Sequence, residues 1–150
     1  MAKDDGSRIV VSGPKRTIEF AVRLDGTMPA KAFYDSLDDM DRDRLFSLFT
    51  HFANYGEATS GRFGPERTVP ADINNGHGKL WAFKDKTFRR PGGGKGMFRI
   101  SCFRIHNRWL LLWGFWKPPQ SKWPETDFAT SFAILHEALQ LEAHRSNRKV

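Results

Sequence analysis

The amino-acid sequence predicts a single α+β domain, a twisted, mainly antiparallel sheet with helices on one side. Three observations carry that expectation. Residues 17–24 alternate cleanly, with Ile18, Phe20, Val22 and Leu24 on one side and Thr17, Glu19, Ala21 and Arg23 on the other, the period of a half-buried strand. Residues 30–55, and the stretch that follows Pro124, carry apolar residues at helical spacing. Between them lie three strand-like runs, 79–85, 97–106 and 108–117, the last two joined at His106 and Asn107 by a turn short enough for a hairpin.

The first strand ends at Asp25 and Gly26, and Thr27 is placed to cap a helix that begins near Pro29. That helical stretch is expected in two pieces, with a break near residues 37–39. Leu45, Leu48, Phe49 and Phe52 form the apolar stripe of the second piece, and Gly56 is its stop. The acids Asp35, Asp38, Asp39, Asp41 and Asp43 crowd the break, where they cap and solvate a helix start whose dipole favours negative charge. Residues 57–78 are rich in Gly, Pro, Asn and Thr and predict a long loop. The run 109–116 is apolar on both faces, which suits a central strand, and Pro118 and Pro119 end it. Phe128, Phe132, Leu135 and Leu139 mark the buried stripe of the final helix. Residues 1–14 read as a flexible extension in which 9–11 carry the pattern of a short extra strand. Residues 15–144 read as the domain, and 145–150 as a basic tail.

A chain of 150 residues can bury roughly 70% of its unfolded surface, enough for a real core. Its net charge of +7 favours an acidic partner without choosing among nucleic acid, acidic protein and membrane surface. The single cysteine, Cys102, excludes an internal disulfide; set in an apolar strand pattern, it reads as a buried small hydrophobe. No apolar run reaches the ~18 residues of a membrane span, and the first residues lack the apolar core of a signal peptide. The expectation is a soluble protein of the reducing cytoplasm. The five histidines, His51, His77, His106, His136 and His144, have no ligand spacing, so neither metal nor cofactor is expected.

The chemistry-bearing signal is a concentration of positive charge. Residues 84–122 hold ten basic residues and one acid, Asp85, in the same stretch as the most apolar strand. This predicts a sheet with one buried and one strongly positive face, suited to a phosphate-bearing partner. Arg99 shares a strand face with Ser101 and Phe103, and a mid-strand arginine beside aromatics must meet an acid or a phosphate. Lys84 closes the preceding strand and Lys117 the following one, so the three cations are expected to converge. The glycine-rich residues 91–96 fail the phosphate-loop pattern, because Lys95 is followed by Gly96 and a strand and not by Ser or Thr and a helix. They read as a flexible loop, with Arg89, Arg90 and Lys95 near enough to meet a phosphate. Trp116 and Trp123 flank Lys117 and Lys122; two readings stand, stacking on unpaired bases and packing against the final helix.

With those residues in place, the chain resembles the RelE/HigB superfamily of bacterial toxins, especially its phage-derived HigB-like branch. The matching segments are FYDSL (33–37), FANYG (52–56), KLWAFK (79–84), MFRI (97–100) and LLLWGFWK (110–117) with the proline-led helix after it. They span about residues 15–141, and their order and spacing carry more than any one of them. The resemblance implies a RelE-like sheet with an N-terminal helical hairpin and a C-terminal helix. It implies the toxin of a type II toxin–antitoxin system, an mRNA endonuclease (endoribonuclease) working in the ribosome without metal. A cognate helix-turn-helix antitoxin and the ribosome with its mRNA are the implied partners. Lys84, Arg99 and Lys117 match the family's catalytic basic positions, with Arg89, Arg90, Lys95, Arg104, Lys122 and Trp123 as RNA contacts. Many members place a Tyr or His near the start of the last helix, where residues 118–128 hold neither, so the resemblance leaves the general acid and base unassigned. A gyrase-directed ParE-type toxin and an inactive RNA-binding module of the same fold stay open beside the nuclease.

Overall fold

The structure is a computed structural model that describes residues 8–56, 62–85, 97–118 and 121–148. Strands β1 (Ile9–Ser12) and β2 (Thr17–Phe20) come first, followed by helices α1 (Pro29–Ser36) and α2 (Asp39–Tyr55). Then come β3 (Phe63–Thr68), the short helix α3 (Ala71–Asn74), strands β4 (Lys79–Asp85), β5 (Met97–Ile105) and β6 (Arg108–Lys117), and finally α4 (Glu125–Arg148). The α+β expectation holds as a six-stranded mixed sheet in the order β1-β2-β6-β5-β4-β3. All neighbours are antiparallel except β2 and β6, which run parallel.

The helices do not share one side, as the sequence reading had it. Leu45, Phe49 and Phe52 of α2 pack with Ile18, Phe83, Ile100, Trp109 and Leu111 on one face of the sheet. Phe128, Phe132 and Leu135 of α4 pack with Leu80, Ala82, Leu110, Leu112 and Phe115 on the other. The expected open positive face is therefore covered along much of its length. The physical reason lies in β4–β6, whose side chains are apolar in both directions and need a layer on each face.

Local chemistry explains the element ends. The break between α1 and α2 falls where it was expected: Leu37 is extended, and the Asp38 carboxylate caps α2 by accepting from the Asp41 N–H at 2.8 Å. Thr27 does not cap α1. Met28 holds that position without a side-chain bond, while the Thr27 hydroxyl donates to Asp25. Gly56 ends α2 at φ 87°, a conformation that favours glycine.

Three further expectations are corrected and one is met. The loop over 57–78 contains β3 and α3; β3 holds Pro65, which an edge strand tolerates because it need not donate on its free side. Residues 9–12 pair into the sheet, as the strand pattern of 9–11 predicts, whereas the helical backbone of α4 continues to Arg148, into the expected tail. The first strand stops at Phe20, after which the Ala21 N–H still donates to the Leu111 carbonyl. The expectations for residues 1–7, and for the glycine-rich loop with Arg89, Arg90 and Lys95, lie outside the described residues. No helix among the described residues is long and apolar enough to cross a membrane.

The parallel β2–β6 pair is tied to α4 through charge. Glu19, 3% exposed, accepts from Arg108 at 2.7 and 3.2 Å, and Arg108 donates also to both oxygens of Glu142 at 2.8 and 3.0 Å. Arg108→Ala is expected to cost about 2 kcal/mol, because it strips a buried carboxylate of its two guanidinium bonds. An unchanged denaturation midpoint would show the network to be idle. The Arg108 hydrogen bond also holds the Glu142 carboxyl below its ordinary value. Its contribution is thus complete above the ordinary carboxylate range and is lost as pH falls through the lowered value.

Candidate active site

Two irregularities in the sheet assemble the site. On β6, Ser101 pairs with Trp113 and Cys102 with Leu111, so Leu112 is an extra residue. Leu112 and Trp113 consequently both turn toward α4, where the Trp113 indole donates to Asp127 at 2.9 Å. Beyond the bulge Phe115 lies with α4 and Trp116 against Phe33 of α1, so Lys117 falls on the α4 face. On β3, Pro65 pairs with Trp81 and Arg67 with Leu80, leaving Glu66 as the extra residue. Glu66 and Arg67 thereby both face the same space.

That space is an open cleft of about 370 Å³ at one end of the sheet, between β3–β6 and the start of α4. Lys84, Arg99 and Lys117 line it together, as the sequence reading expected, and Lys122 stands in its wall. Lys84 and Arg99 are direct cross-strand partners. Like charges placed so are destabilising, and an arrangement that local stability does not favour points to function. Arg99 is half-buried, and its Nη1 donates to the Phe98 carbonyl at 2.7 Å. Burial lowers its affinity for the proton while Glu66 opposes that shift; a guanidinium stays charged all the same.

Lys117 is 6% exposed and donates to the carbonyls of Pro118 at 3.0 Å and Ser121 at 2.5 Å. An ammonium has three N–H bonds, so one remains for a ligand. Burial, then Arg99 and Lys84, lower its pKa against the pull of Glu66.

Glu66 is the residue the sequence reading missed. Among the described residues it is the one carboxylate lining a cleft whose other charged residues are cations. Burial raises its pKa above the ordinary carboxylate value, and Lys84, Arg99 and Lys117 pull the other way. A half-buried carboxyl with a raised pKa, set beside cations in a cleft, suits proton transfer. Its only sequence signal was the Pro65–Arg67 segment before buried Val69, which reads as loop because Gly64 and Pro65 disfavour a strand.

Of two further expected RNA contacts, one is placed elsewhere and the other lines the cleft with its ring engaged. Arg104 sits at the opposite end of β5, where its Nε donates to the His106 carbonyl at 2.6 Å and it pairs across the strands with Trp109. Trp123 borders the cleft but is 6% exposed, stacked on Phe128 at 4.6 Å and edge-on to Phe115 at 4.7 Å. Packing against α4 is what uses its ring, so it serves as a wall and not as an open platform for a base. Cys102 is fully buried, which holds its thiol well above the ordinary value. Comparisons with protein-family models, with curated proteins and with solved structures find no match.

Proposed function

We propose that the chain is the toxin of a type II toxin–antitoxin pair, of the RelE/HigB kind, and cuts mRNA in the ribosome without metal. The observation that carries this reading is one carboxylate held among three cations in a single cleft. In the proposed reaction, Glu66 takes the proton of a ribose 2′-hydroxyl, and the freed oxygen bonds to the adjacent phosphorus. Arg99 and Lys84 neutralise the charge that builds on the phosphorane. The bond to the 5′-oxygen then breaks, and that oxygen takes a proton from Lys117, whose hold on it is weakened by burial and by neighbouring charge. The products are a 2′,3′-cyclic phosphate and a 5′-hydroxyl end.

The carboxylate favours a nuclease over a gyrase-binding inhibitor or an inactive RNA-binding module, because pure anion binding gains nothing from a negative group at its centre. Inducible expression with mapping of mRNA 5′ ends tests the reading. Cuts within translated codons support it. Intact mRNA with altered DNA supercoiling would assign the ParE-type activity instead, and no effect on either would leave the module.

A cognate helix-turn-helix antitoxin is proposed to cover the cleft with an acidic segment, since such a segment neutralises the same cations and blocks RNA. Opposite charges speed encounter in a salt-sensitive way. Lys84→Glu is therefore expected to slow association with the antitoxin about tenfold at low salt, and less at high salt. An unchanged on-rate in stopped-flow measurements would move the antitoxin to another surface.

A further inference from the structure

We propose that Arg67, together with Glu125, is a positioning residue that holds the β3 edge against the start of α4 and so keeps the Glu66 carboxylate inside the cleft. The proposal rests on the nuclease reading for its kinetic consequence, but not for its structural one.

β3 is an edge strand, bonded to β4 on one side, and it carries a proline and a bulge at the point where Glu66 leaves it. Edges of this kind open at low cost. Glu66 is also placed where burial opposes its charge. Pairing with β4 holds the strand on either side of the bulge but is interrupted at Glu66, and the next residue adds a second hold there. Arg67 donates from Nη1 and Nη2 to the two oxygens of Glu125 at 2.8 and 2.9 Å. Its guanidinium carbon lies 3.6 Å from the centroid of the Phe128 ring, which is itself stacked on Trp123. Two terminal nitrogens and a planar face are thus engaged by α4, 58 residues along the chain.

This engagement separates Arg67 from the other cations that line the cleft. A phosphate reaches its guanidinium fork only by displacing Glu125, whereas Lys84, Arg99 and Lys122 make no ion pair that competes for the cleft among the described residues. The charged groups around Glu66 are Lys84 on β4, Arg99 on β5, Lys117 on β6, Arg67 beside it, and Lys122 with Glu125 at the start of α4. Of these, the Arg67–Glu125 pair is the one that restrains its backbone. The pair is largely exposed, so its loss is too small to unfold the domain.

The test uses purified Arg67→Ala, the exchange Arg67→Glu with Glu125→Arg, and Arg67→Ala combined with Glu66→Gln. Two readouts need no RNA. In Arg67→Ala, amide hydrogen exchange over residues 63–68 is expected to quicken. The Glu66 carboxyl, followed by carbon NMR, is expected to titrate closer to an ordinary carboxylate as it gains water, with the charge exchange restoring both. The third readout is cleavage of a synthetic mRNA on purified ribosomes. There Arg67→Ala is expected to lower kcat about tenfold with KM nearly unchanged, and to cost nothing more once Glu66→Gln is also present. An unmoved Glu66 titration overturns the proposal, whatever the protein does to RNA. An equal loss with and without Glu66→Gln, or a rise in KM alone, overturns it in favour of direct substrate binding. If Glu66→Gln itself leaves cleavage unchanged, the nuclease assignment of Glu66 falls, and the titration still decides the positioning.

Discussion

Glu66→Gln is expected to reduce ribosome-dependent RNA cleavage about 10³-fold, the scale of a lost general base. The substitution keeps shape and removes the carboxylate that stands among the cations of the cleft. Affinity for RNA should hold or tighten, because a negative group leaves a phosphate site, so the loss belongs to kcat. The pH profile gives a second signature. A base works only when deprotonated, so wild-type activity should rise with pH through a value above the ordinary carboxylate range, in keeping with the burial of Glu66. That rise should vanish in the glutamine variant. Single-turnover cleavage across pH measures both, and near-wild-type rates in a folded Glu66→Gln protein would remove Glu66 from the chemistry.

Arg99→Ala is expected to cost about 10²- to 10³-fold in cleavage, the cost of deleting a donor that acts on transition-state charge. Stability should not fall with it. Arg99 stands directly across from Lys84, and removing one of two opposed like charges relieves repulsion. Loss of activity with an equal or higher melting temperature is therefore the expected pair of results. Arg99→Lys should recover only part of the rate, since a point charge replaces a planar fork. A purified, folded alanine variant that cleaves normally would exclude Arg99 from the catalytic role.

Much of this was legible in the residues. Lys84, Arg99 and Lys117 could be brought to one end of the sheet from the strand order and the short turn at His106 and Asn107, because β4, β5 and β6 are consecutive antiparallel neighbours, but the face that Lys117 takes depends on the bulge at Leu112. The stripes of α2 and α4 were legible for the same reason, since their period repeats over several turns. Placement of α4 on the opposite face from α2 was not legible: an amphipathic stripe shows which side of a helix is buried, not which face of the sheet receives it. Glu66 was hidden because β3 owes its existence to pairing with β4 and not to its own composition, with Gly64 and Pro65 in a run of six residues. The inward turn of Glu66 depends on a bulge, and a bulge leaves no periodic trace.

The extra residue at Leu112 has a consequence that can be put as counting parity. Along an unbroken strand, positions an even number apart share a face. Trp109 and Lys117 are an even number apart, yet Trp109 lies beneath α2 while Lys117 lines the cleft on the other side. The single added residue changes odd to even for everything after it. A chain of this fold without it would carry its cation at the same place opposite Met97, an odd number of residues after its counterpart of Trp109. Deleting Leu112 here should therefore leave Trp113 opposite Ser101 and Lys117 opposite Met97, whereas drawing Leu112 into regular pairing would exchange the environments of Trp116 and Lys117, driving an ammonium into the aromatic contact with Phe33 and Phe98 and emptying the cleft of that charge. The irregular pairing of β6, as much as its composition, is thus part of what specifies the site.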